Sequence, residues 1–311
     1  MKTSVVMATY NGVDYLLEQL DSLRDQSMQI EEVIICDDCS KDETVSMIRD
    51  YIEKNGLGER WKLIENETNL GYANNFHKAM SLANGEYIFF SDQDDIWCTD
   101  KIAEMVRVLD ENPKIQLLCS DYEPFSSAEN APTVPKKIMD KMTGDGSIEE
   151  IVLSSRNVHI ASLGCDMCIR KSFRDRIEPF WISGWAHDDY VWKMAQCVRG
   201  CFTYHKPLIK RRLHANNVSM RKMHQKDKRV KFLRDLAEAY TGMLQFAKSI
   251  PMEKRKIKFI EKSLRATKLR ADLVEHCKLV NSIKLLGYLN CYHSVKSVLV
   301  EPYMALKYRN K

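Results

Sequence analysis

The sequence has 311 residues, of which 44% are hydrophobic and 29% charged, and its formal net charge is +4. This composition is typical of a soluble globular protein. The length accommodates one large α/β domain with an appendage, or two domains. No run of 18 apolar residues occurs in the sequence, which excludes a membrane-spanning helix of ordinary length.

The N-terminal residues and the cysteines indicate a cellular compartment. The segment from Met1 becomes polar too early for a secretory signal peptide, and we predict the first strand there instead. The ten cysteines are therefore expected to be thiols in a reducing environment. We accordingly expect a cytoplasmic protein.

Apolar runs and helical patterns alternate along the first hundred residues. They predict strands at 4–8, 32–36, 61–65 and 87–90, and helices at 43–54 and 74–83, with another helix capped by Asp14. This alternation predicts a parallel, doubly wound sheet of the α/β class. The first strand is followed by Ala8-Thr9-Tyr10-Asn11-Gly12 rather than G-x-G-x-x-G, which disfavours a dinucleotide site.

The later elements are predicted from the same periodicities. They comprise a helix at 101–111, strands at 115–120, 162–169 and 201–206, and a loop at 124–146. From residue 219 the pattern is mostly helical and basic. The chain is therefore divided into a unit covering 1–218 and a basic helical extension covering 219–311.

Three acids follow the apolar run that ends at Phe90. Asp92, Asp94 and Asp95 lie within four residues of each other, at the carboxyl edge of the predicted sheet, where open α/β folds bind ligands. Alternate residues of an extended segment point the same way, so Asp92 and Asp94 can face one Mg²⁺ or Mn²⁺ ion. The alternative is a solvated acidic turn that caps the helix starting near Asp100. Asp95 could lie behind the direct ligands or cap the next turn, and the cap is preferred.

Two further acidic pairs, Asp37/Asp38 and Asp188/Asp189, also fall at strand ends or in loops. Together with the segment SVVMATYNG, these clusters resemble the inverting family 2 glycosyltransferases of the GT-A fold. The matching segments, in chain order, are 4–12, 22–27, 37–42, 69–76, 85–97, 164–165 and 185–188. SDQDDIW and the His-Asp pair are most similar to the rhamnosyltransferase-like branch of bacterial polysaccharide assembly.

This resemblance implies a Rossmann-like, mostly parallel GT-A sheet with a helical C-terminal extension. Residues 1–218 would be the catalytic domain, and 219–311 the extension. The implied enzyme transfers a hexose from a UDP- or dTDP-sugar to a hydroxyl of a glycan or lipid-linked acceptor, in cell-surface polysaccharide biosynthesis. The alternatives are a non-catalytic sugar-nucleotide-binding or scaffold protein on the same fold, and a nucleotidyltransferase, which lacks support because no Gly-rich basic loop is present.

The resemblance also assigns the donor site. Asp38 would accept the pyrimidine N3–H, with Asp37 shaping the turn, and Ala8 and Tyr10 would flank the base or ribose. For Tyr10 a simple turn after the strand is an equal alternative.

The metal site implied by the resemblance is a DXD motif. Asp94 would hold Mn²⁺ or Mg²⁺, and Asp92 would bind the ribose or a metal-bound water, so that the cation neutralises the diphosphate leaving group. Arg212 and His214 would close over the diphosphate, although a basic segment is often simply solvated surface.

The implied catalytic base is Asp188, which would take the proton of the acceptor hydroxyl. Asp189 is a rival, because this chain has His-Asp-Asp where many relatives have Glu-Asp. Trp181 and Trp185 suit either an acceptor wall or core packing.

The basic extension has two equally supported interpretations. It could contact an anionic membrane at the inner face of the plasma membrane, or it could pack on the core or on a second subunit. No nucleic-acid-binding motif accompanies the charge, so no nucleic-acid partner is expected.

Overall fold

The computed structural model describes residues 2–126, 131–214, 225–292 and 295–308. The strands in these residues are β1 (Thr3–Thr9), β2 (Glu32–Asp37), β3 (Trp61–Glu65), β4 (Tyr87–Ser91), β5 (Ile96–Trp97), β6 (Leu117–Ser126), β7 (Ile148–Glu150), β8 (Met167–Arg170) and β9 (Cys201–Leu213). The helices are α1 (Leu16–Arg24), α2 (Thr44–Lys54), α3 (Tyr72–Leu82), α4 (Lys101–Glu111), α5 (Lys136–Met139), α6 (Lys171–Ile177), α7 (His187–Cys197), α8 (Lys226–Ser249), α9 (Lys254–Glu275), α10 (Val280–Leu285) and α11 (Val295–Lys307).

One sheet runs through the described residues in the order β3-β2-β1-β4-β8-β6-β9-β5, with β7 paired to β9. The neighbours β3, β2, β1 and β4 are all parallel, and so are β6 and β9. The strand β8 is antiparallel to both β4 and β6. The predicted mostly parallel α/β sheet is therefore confirmed.

The core lies on both faces of this sheet, because successive strand residues point to opposite sides. Val6 and Phe90 pack with α3, α7 and α8 on one face. Val5 and Phe89 pack with α1, α2 and α4 on the other. Helices on both faces explain why the inner strands are continuous apolar runs.

The carboxyl ends of β1, β2 and β4 meet at one edge of the sheet, since the three strands are parallel neighbours. Because β8 reverses direction between β4 and β6, the carboxyl end of β9 lies at this edge too. These four strand ends place the acids that follow β2 and β4 near the residues that follow β9.

The C-terminal helices complete the molecule. Leu236, Tyr240 and Phe246 of α8 join the core cluster on the α7 face, and α8 packs along α9. The predicted helical C-terminal extension is confirmed. The predicted boundary at residue 218 lies outside the described residues, and no helix within them is long and apolar enough to cross a membrane.

Several local predictions were wrong. Tyr15 rather than Asp14 occupies the N-cap position of α1. The strand predicted at 162–169 begins only at Met167, after a 3₁₀ turn over Gly164–Asp166. The strands β6 and β9 extend beyond their predicted ends to Ser126 and Leu213 because they pair with each other there, which stabilises polar sequence in extended form.

Candidate functional site

Asp37, the last residue of β2, shapes the turn that follows it. One of its carboxylate oxygens accepts the Thr9 hydroxyl at 2.8 Å, and the other accepts the Ser40 backbone N–H at 2.8 Å. These bonds tie the ends of β1 and β2 together. These contacts support the expectation that Asp37 shapes the turn.

Asp38 is 3% exposed and anchors the loop that follows β3. It accepts the backbone N–H groups of Leu70 and Gly71 at 2.7 and 2.8 Å, and the Asn66 amide at 2.9 Å. Gly71 has φ of 77°, a conformation that favours glycine. A carboxylate offers about four acceptor positions, so Asp38 retains capacity for one further donor.

Gln93 joins the end of β1 to the turn after β4. The Tyr10 N–H donates to Gln93 Oε1 at 2.9 Å, and Gln93 Nε2 donates to the Tyr10 carbonyl at 3.2 Å. A Cβ on Gly12 would lie 2.4 Å from Gln93 Cδ, so a larger residue at position 12 would displace the Gln93 amide from Tyr10. Tyr10 is 49% exposed and Ala8 is half-buried. Gln93 was not predicted as a site residue, although its position inside the acidic segment SDQDD pointed to the site.

Asp94 and His214 meet across the edge. His214 Nε2 lies 2.7 Å from Asp94 Oδ2, and its ring stands 5.1 Å from that of Tyr15. Carboxylate oxygen and imidazole nitrogen are both ligands for Mn²⁺-type ions. The pair therefore supplies a donor set that a divalent cation fits.

Arg212 is 5% exposed and braces the acidic turn. Its Nε donates to the Asp94 carbonyl and its backbone N–H to Asp95 Oδ1, both at 2.9 Å. The guanidinium also pairs with Glu18 at 2.9 Å. Asp95 is buried and bonded to β9, which favours the position behind the direct ligands over the preferred role as cap of the next turn.

Asp92, Asp95 and Cys165 form a compact cluster, in which their potential ligand atoms all lie within 4.8 Å of one another. Burial, with repulsion from Asp94, raises the pKa of Asp92 well above its usual range and that of Asp95 to about 6. Carboxylates crowded in this way gain from a cation nearby.

Asp188 and Asp189 lie in the first turn of α7 and have different surroundings. Asp189 accepts the Trp185 indole N–H at 2.8 Å and forms an ion pair with Lys193, which is fully buried. Burial, with repulsion from Asp189, raises the pKa of Asp188 to about 6. The charge of Asp188 also contributes to raising the pKa of Asp92, so these two carboxylates are near enough to repel each other.

His187 is buried next to Asp188. Its ring stacks on Phe76 with centroids 3.8 Å apart, and burial lowers its pKa to about 3, which keeps it neutral. Neither ring nitrogen has a hydrogen-bond partner among the described residues. A Cβ on Gly164 would lie 2.3 Å from His187 Nε2, which explains the glycine of the Gly164-Cys165 segment.

The two tryptophans before α7 have separate roles. Trp185 is buried and donates to Asp189, which supports core packing. Trp181 is half-buried and stacks on His77 at 3.6 Å with an interplanar angle of 10°. Trp181 therefore remains the candidate for an acceptor wall.

The amino-acid sequence matches a known family. The model described as "Glycosyl transferase family 2" matches residues 4–177, more than half of the chain. The chain therefore belongs to this family, and its fold is GT-A.

Sequence relatives support the family. The putative teichuronic acid biosynthesis glycosyltransferase TuaG of Bacillus subtilis is 31% identical over 163 residues, covering 50% of this chain and 61% of TuaG. The UDP-Glc:alpha-D-GlcNAc-diphosphoundecaprenol beta-1,3-glucosyltransferase WfaP of Escherichia coli is 33% identical over 119 residues, covering 38% of this chain and 45% of WfaP. The alignments thus span about half the length of these relatives.

Solved structures support the fold. TarS 1-349 of S. aureus, in complex with UDP-GlcNAc, has a TM-score of 0.68 at 20% identity, covering 99% of this chain and 92% of that chain. The mannosyltransferase PcManGT of Pyrobaculum calidifontis, in complex with GDP-Man and Mn2+, has a TM-score of 0.57 at 16% identity, covering 100% and 88%.

Proposed function

We propose that this protein is a metal-dependent, inverting hexosyltransferase. It transfers a hexose from a UDP- or dTDP-sugar to a hydroxyl of a glycan or lipid-linked acceptor in cell-surface polysaccharide biosynthesis. Residues 1–218 form its catalytic domain, and 219–311 form the helical extension. This choice of substrates is supported by the activities for which TuaG and WfaP are named. It is also supported by the UDP-GlcNAc bound to TarS.

One observation carries the proposal. Asp38 and Asp94 follow β2 and β4 at the same edge of the sheet. Asp188 follows His187, whose ring lies 5.1 Å from that of Phe90 near the end of β4. Neighbouring strands are about 4.8 Å apart, so β2 and β4, on either side of β1, end about 10 Å from each other. That separation suits a nucleoside at one strand end and a diphosphate at the next.

The donor site is built from the ends of β1, β2 and β4. Asp38 accepts the pyrimidine N3–H with its remaining acceptor capacity, and Ala8 and Tyr10 flank the base or ribose. Asp92 binds the ribose or a metal-bound water. Arg212 holds the acidic turn in place through the Asp94 carbonyl.

Asp94 and His214 would hold Mn²⁺ or Mg²⁺, with Asp92 nearby. Bound there, the cation would neutralise the negative charge of the departing nucleoside diphosphate. The contact of His214 with Asp94 at 2.7 Å supports this assignment, since it brings the two side chains together after the end of β4.

Asp188 is the proposed general base. It removes the proton from the acceptor hydroxyl, whose oxygen attacks the anomeric carbon on the face opposite the diphosphate and so inverts the configuration. A base works best with a pKa near the working pH, and the pKa of Asp188 is raised to about 6. Asp189 is committed to Lys193 and Trp185, which favours Asp188.

A lipid-linked acceptor implies work at a membrane. We therefore place the enzyme in the cytoplasm and at the inner face of the plasma membrane, with no nucleic-acid partner. The competing function is a non-catalytic sugar-nucleotide-binding protein on the same fold.

The deciding experiment measures release of UDP or dTDP from a panel of sugar nucleotides with Mn²⁺ and without acceptor. We expect slow release from one donor, its loss on chelation, and its loss in Asp94→Ala. Binding of a donor without release or transfer to any glycan would favour the non-catalytic alternative. The absence of any binding would overturn the donor assignment itself.

A further inference from the structure

The C-terminal helices expose an unusual number of large apolar side chains. Sixteen such side chains are exposed among the described residues, and half of them lie between residues 280 and 306. We call this set the C-terminal apolar face: Val280, Ile283, Leu286, Leu289, Leu299, Val300, Tyr303 and Leu306. Ile283 and Leu299 are 70% and 71% exposed, which is far from the behaviour of a core residue.

The sequence intervals between these residues place them on the outer sides of α10, the 3₁₀ turn after it and α11. Val280 and Ile283 lie three apart on α10, and Leu286 and Leu289 lie three apart in the 3₁₀ turn that follows, which is kinked at Tyr288. Leu299, Tyr303 and Leu306 lie four and three apart on α11. Such intervals place side chains on one side of a helix.

The opposite sides of these elements are anchored to the protein. One buried cluster contains Leu273 of α9, Leu285 of α10 and Ala305 of α11, together with Tyr292. The two outer faces are therefore held on a common support, rather than carried on separate tails. An apolar face of this size on a fixed support marks an interaction surface.

Charge identifies the occupant. Residues 276–311 contain six Lys and Arg residues and a single acid, Glu301. Glu301 is fully buried and paired with Arg229 and Arg270, so it contributes no negative charge to the outer surface.

Among the described residues, Lys284 of α10 and Lys307 of α11 are exposed, whereas Lys278 pairs with Asp272. Exposed cations on apolar helical faces match an anionic lipid surface. A second copy of this chain would instead bring two cationic segments together.

We propose that the C-terminal apolar face docks this protein on an anionic phospholipid surface. Its apolar side chains enter the boundary between headgroups and acyl chains, and lysines such as Lys284 and Lys307 lie at the headgroups. The inference names the surface behind the membrane contact suggested above, but it does not rest on the transferase reaction, since docking needs neither donor nor acceptor.

The test is co-sedimentation of the full chain with vesicles of equal parts phosphatidylglycerol and phosphatidylcholine, compared with phosphatidylcholine alone. We expect binding to the anionic vesicles, and a loss of about tenfold or more in Leu299→Ser/Tyr303→Ser. The matched control is Leu17→Ser/Leu82→Ser, which changes two exposed leucines of α1 and α3 and should bind as the unchanged protein does. Lys284→Gln/Lys307→Gln should weaken binding by about fivefold per lysine.

Four results would overturn the proposal. They are no sedimentation of the unchanged chain, equal binding to neutral and anionic vesicles, full binding by Leu299→Ser/Tyr303→Ser, or a dimer in solution that this variant dissociates. Circular dichroism and the melting temperature of the variant check that it folds. Donor hydrolysis in solution separates the two proposals, because the variant should retain it even if docking is lost.

Discussion

Asn74 Oδ1 accepts the backbone N–H of Gly184 at 2.8 Å, which joins the first turn of α3 to the loop before α7. The Asn74 amide also donates to the Leu70 carbonyl at 2.9 Å. Leu70 in turn donates its N–H to Asp38. One side chain therefore links the loop held by the proposed base-binding carboxylate to the loop that precedes Asp188.

We expect Asn74→Ala to lower kcat/KM for transfer by about tenfold, since a lost bond of about 1.4 kcal/mol corresponds to that factor. The loss should fall mainly on kcat, because the loop that positions Asp188 is loosened. Asn112→Ala is the control, as that amide donates to the Val108 carbonyl at the end of α4. Equal losses in both variants would show a general stability effect instead.

The two acids of α7 should respond differently to the same change. Asp188→Asn should abolish transfer while nucleotide affinity, measured by calorimetry, stays nearly unchanged. Asp189→Asn should instead destabilise the fold by about 3 kcal/mol, because it leaves the buried Lys193 ammonium without its partner. Denaturant unfolding measures this cost.

Lys193→Met in the Asp189→Asn background completes that experiment. Removing both charges should recover most of the lost stability, since the uncompensated ammonium is gone.

The transfer assay of Asp188→Asn tests which acid is the base. Full transfer activity in Asp188→Asn would move the role of base to Asp189.

The pH dependence of transfer should show the environment of Asp188. The base must be ionised, and burial raises its pKa to about 6. We therefore expect kcat/KM to fall as the pH drops through about 6, rather than near the ordinary aspartate value of about 4. A profile that stays flat down to pH 5 would contradict the assignment.

Asp166 should make stability depend on pH in the opposite sense to an exposed ion pair. Burial raises its pKa from 3.8 to about 7, so the stability that it contributes is present below pH 4 and is lost as the pH rises to about 7. Asp166→Asn should differ little from the unchanged protein at pH 4 and exceed its free energy of unfolding at pH 8. A variant that is less stable at both pH values would refute this.

His214 should be required for the cation. In a titration of Mn²⁺ with UDP present, followed by electron paramagnetic resonance, we expect His214→Ala to weaken Mn²⁺ binding by about tenfold or more. His205→Ala is matched to it, because His205 of β9 also lies beside a carboxylate, with its Nδ1 3.3 Å from Asp121. Equal affinity in the two variants would remove His214 from the site.

The sheet and the acids at its edge were predictable because they depend on local patterns. Apolar runs ending in acids indicate strand ends, and the segments shared with family 2 place them in order. The contacts of Asp189 with Trp185 and Lys193 were also predictable, since both lie four residues from it in the sequence. The role of Arg212 was not, because its partner Glu18 is 194 residues distant and no local pattern reports such a contact.

The buried Glu301 also affects how the chain can be shortened. Arg229 and Arg270 are synthesised well before the carboxylate that neutralises them. Until α11 docks, two guanidinium groups on α8 and α9 lack their counter-charge, so the final helix closes the C-terminal bundle. Deleting α11 would therefore unfold part of its own support, and point substitutions on its outer surface are the cleaner tool.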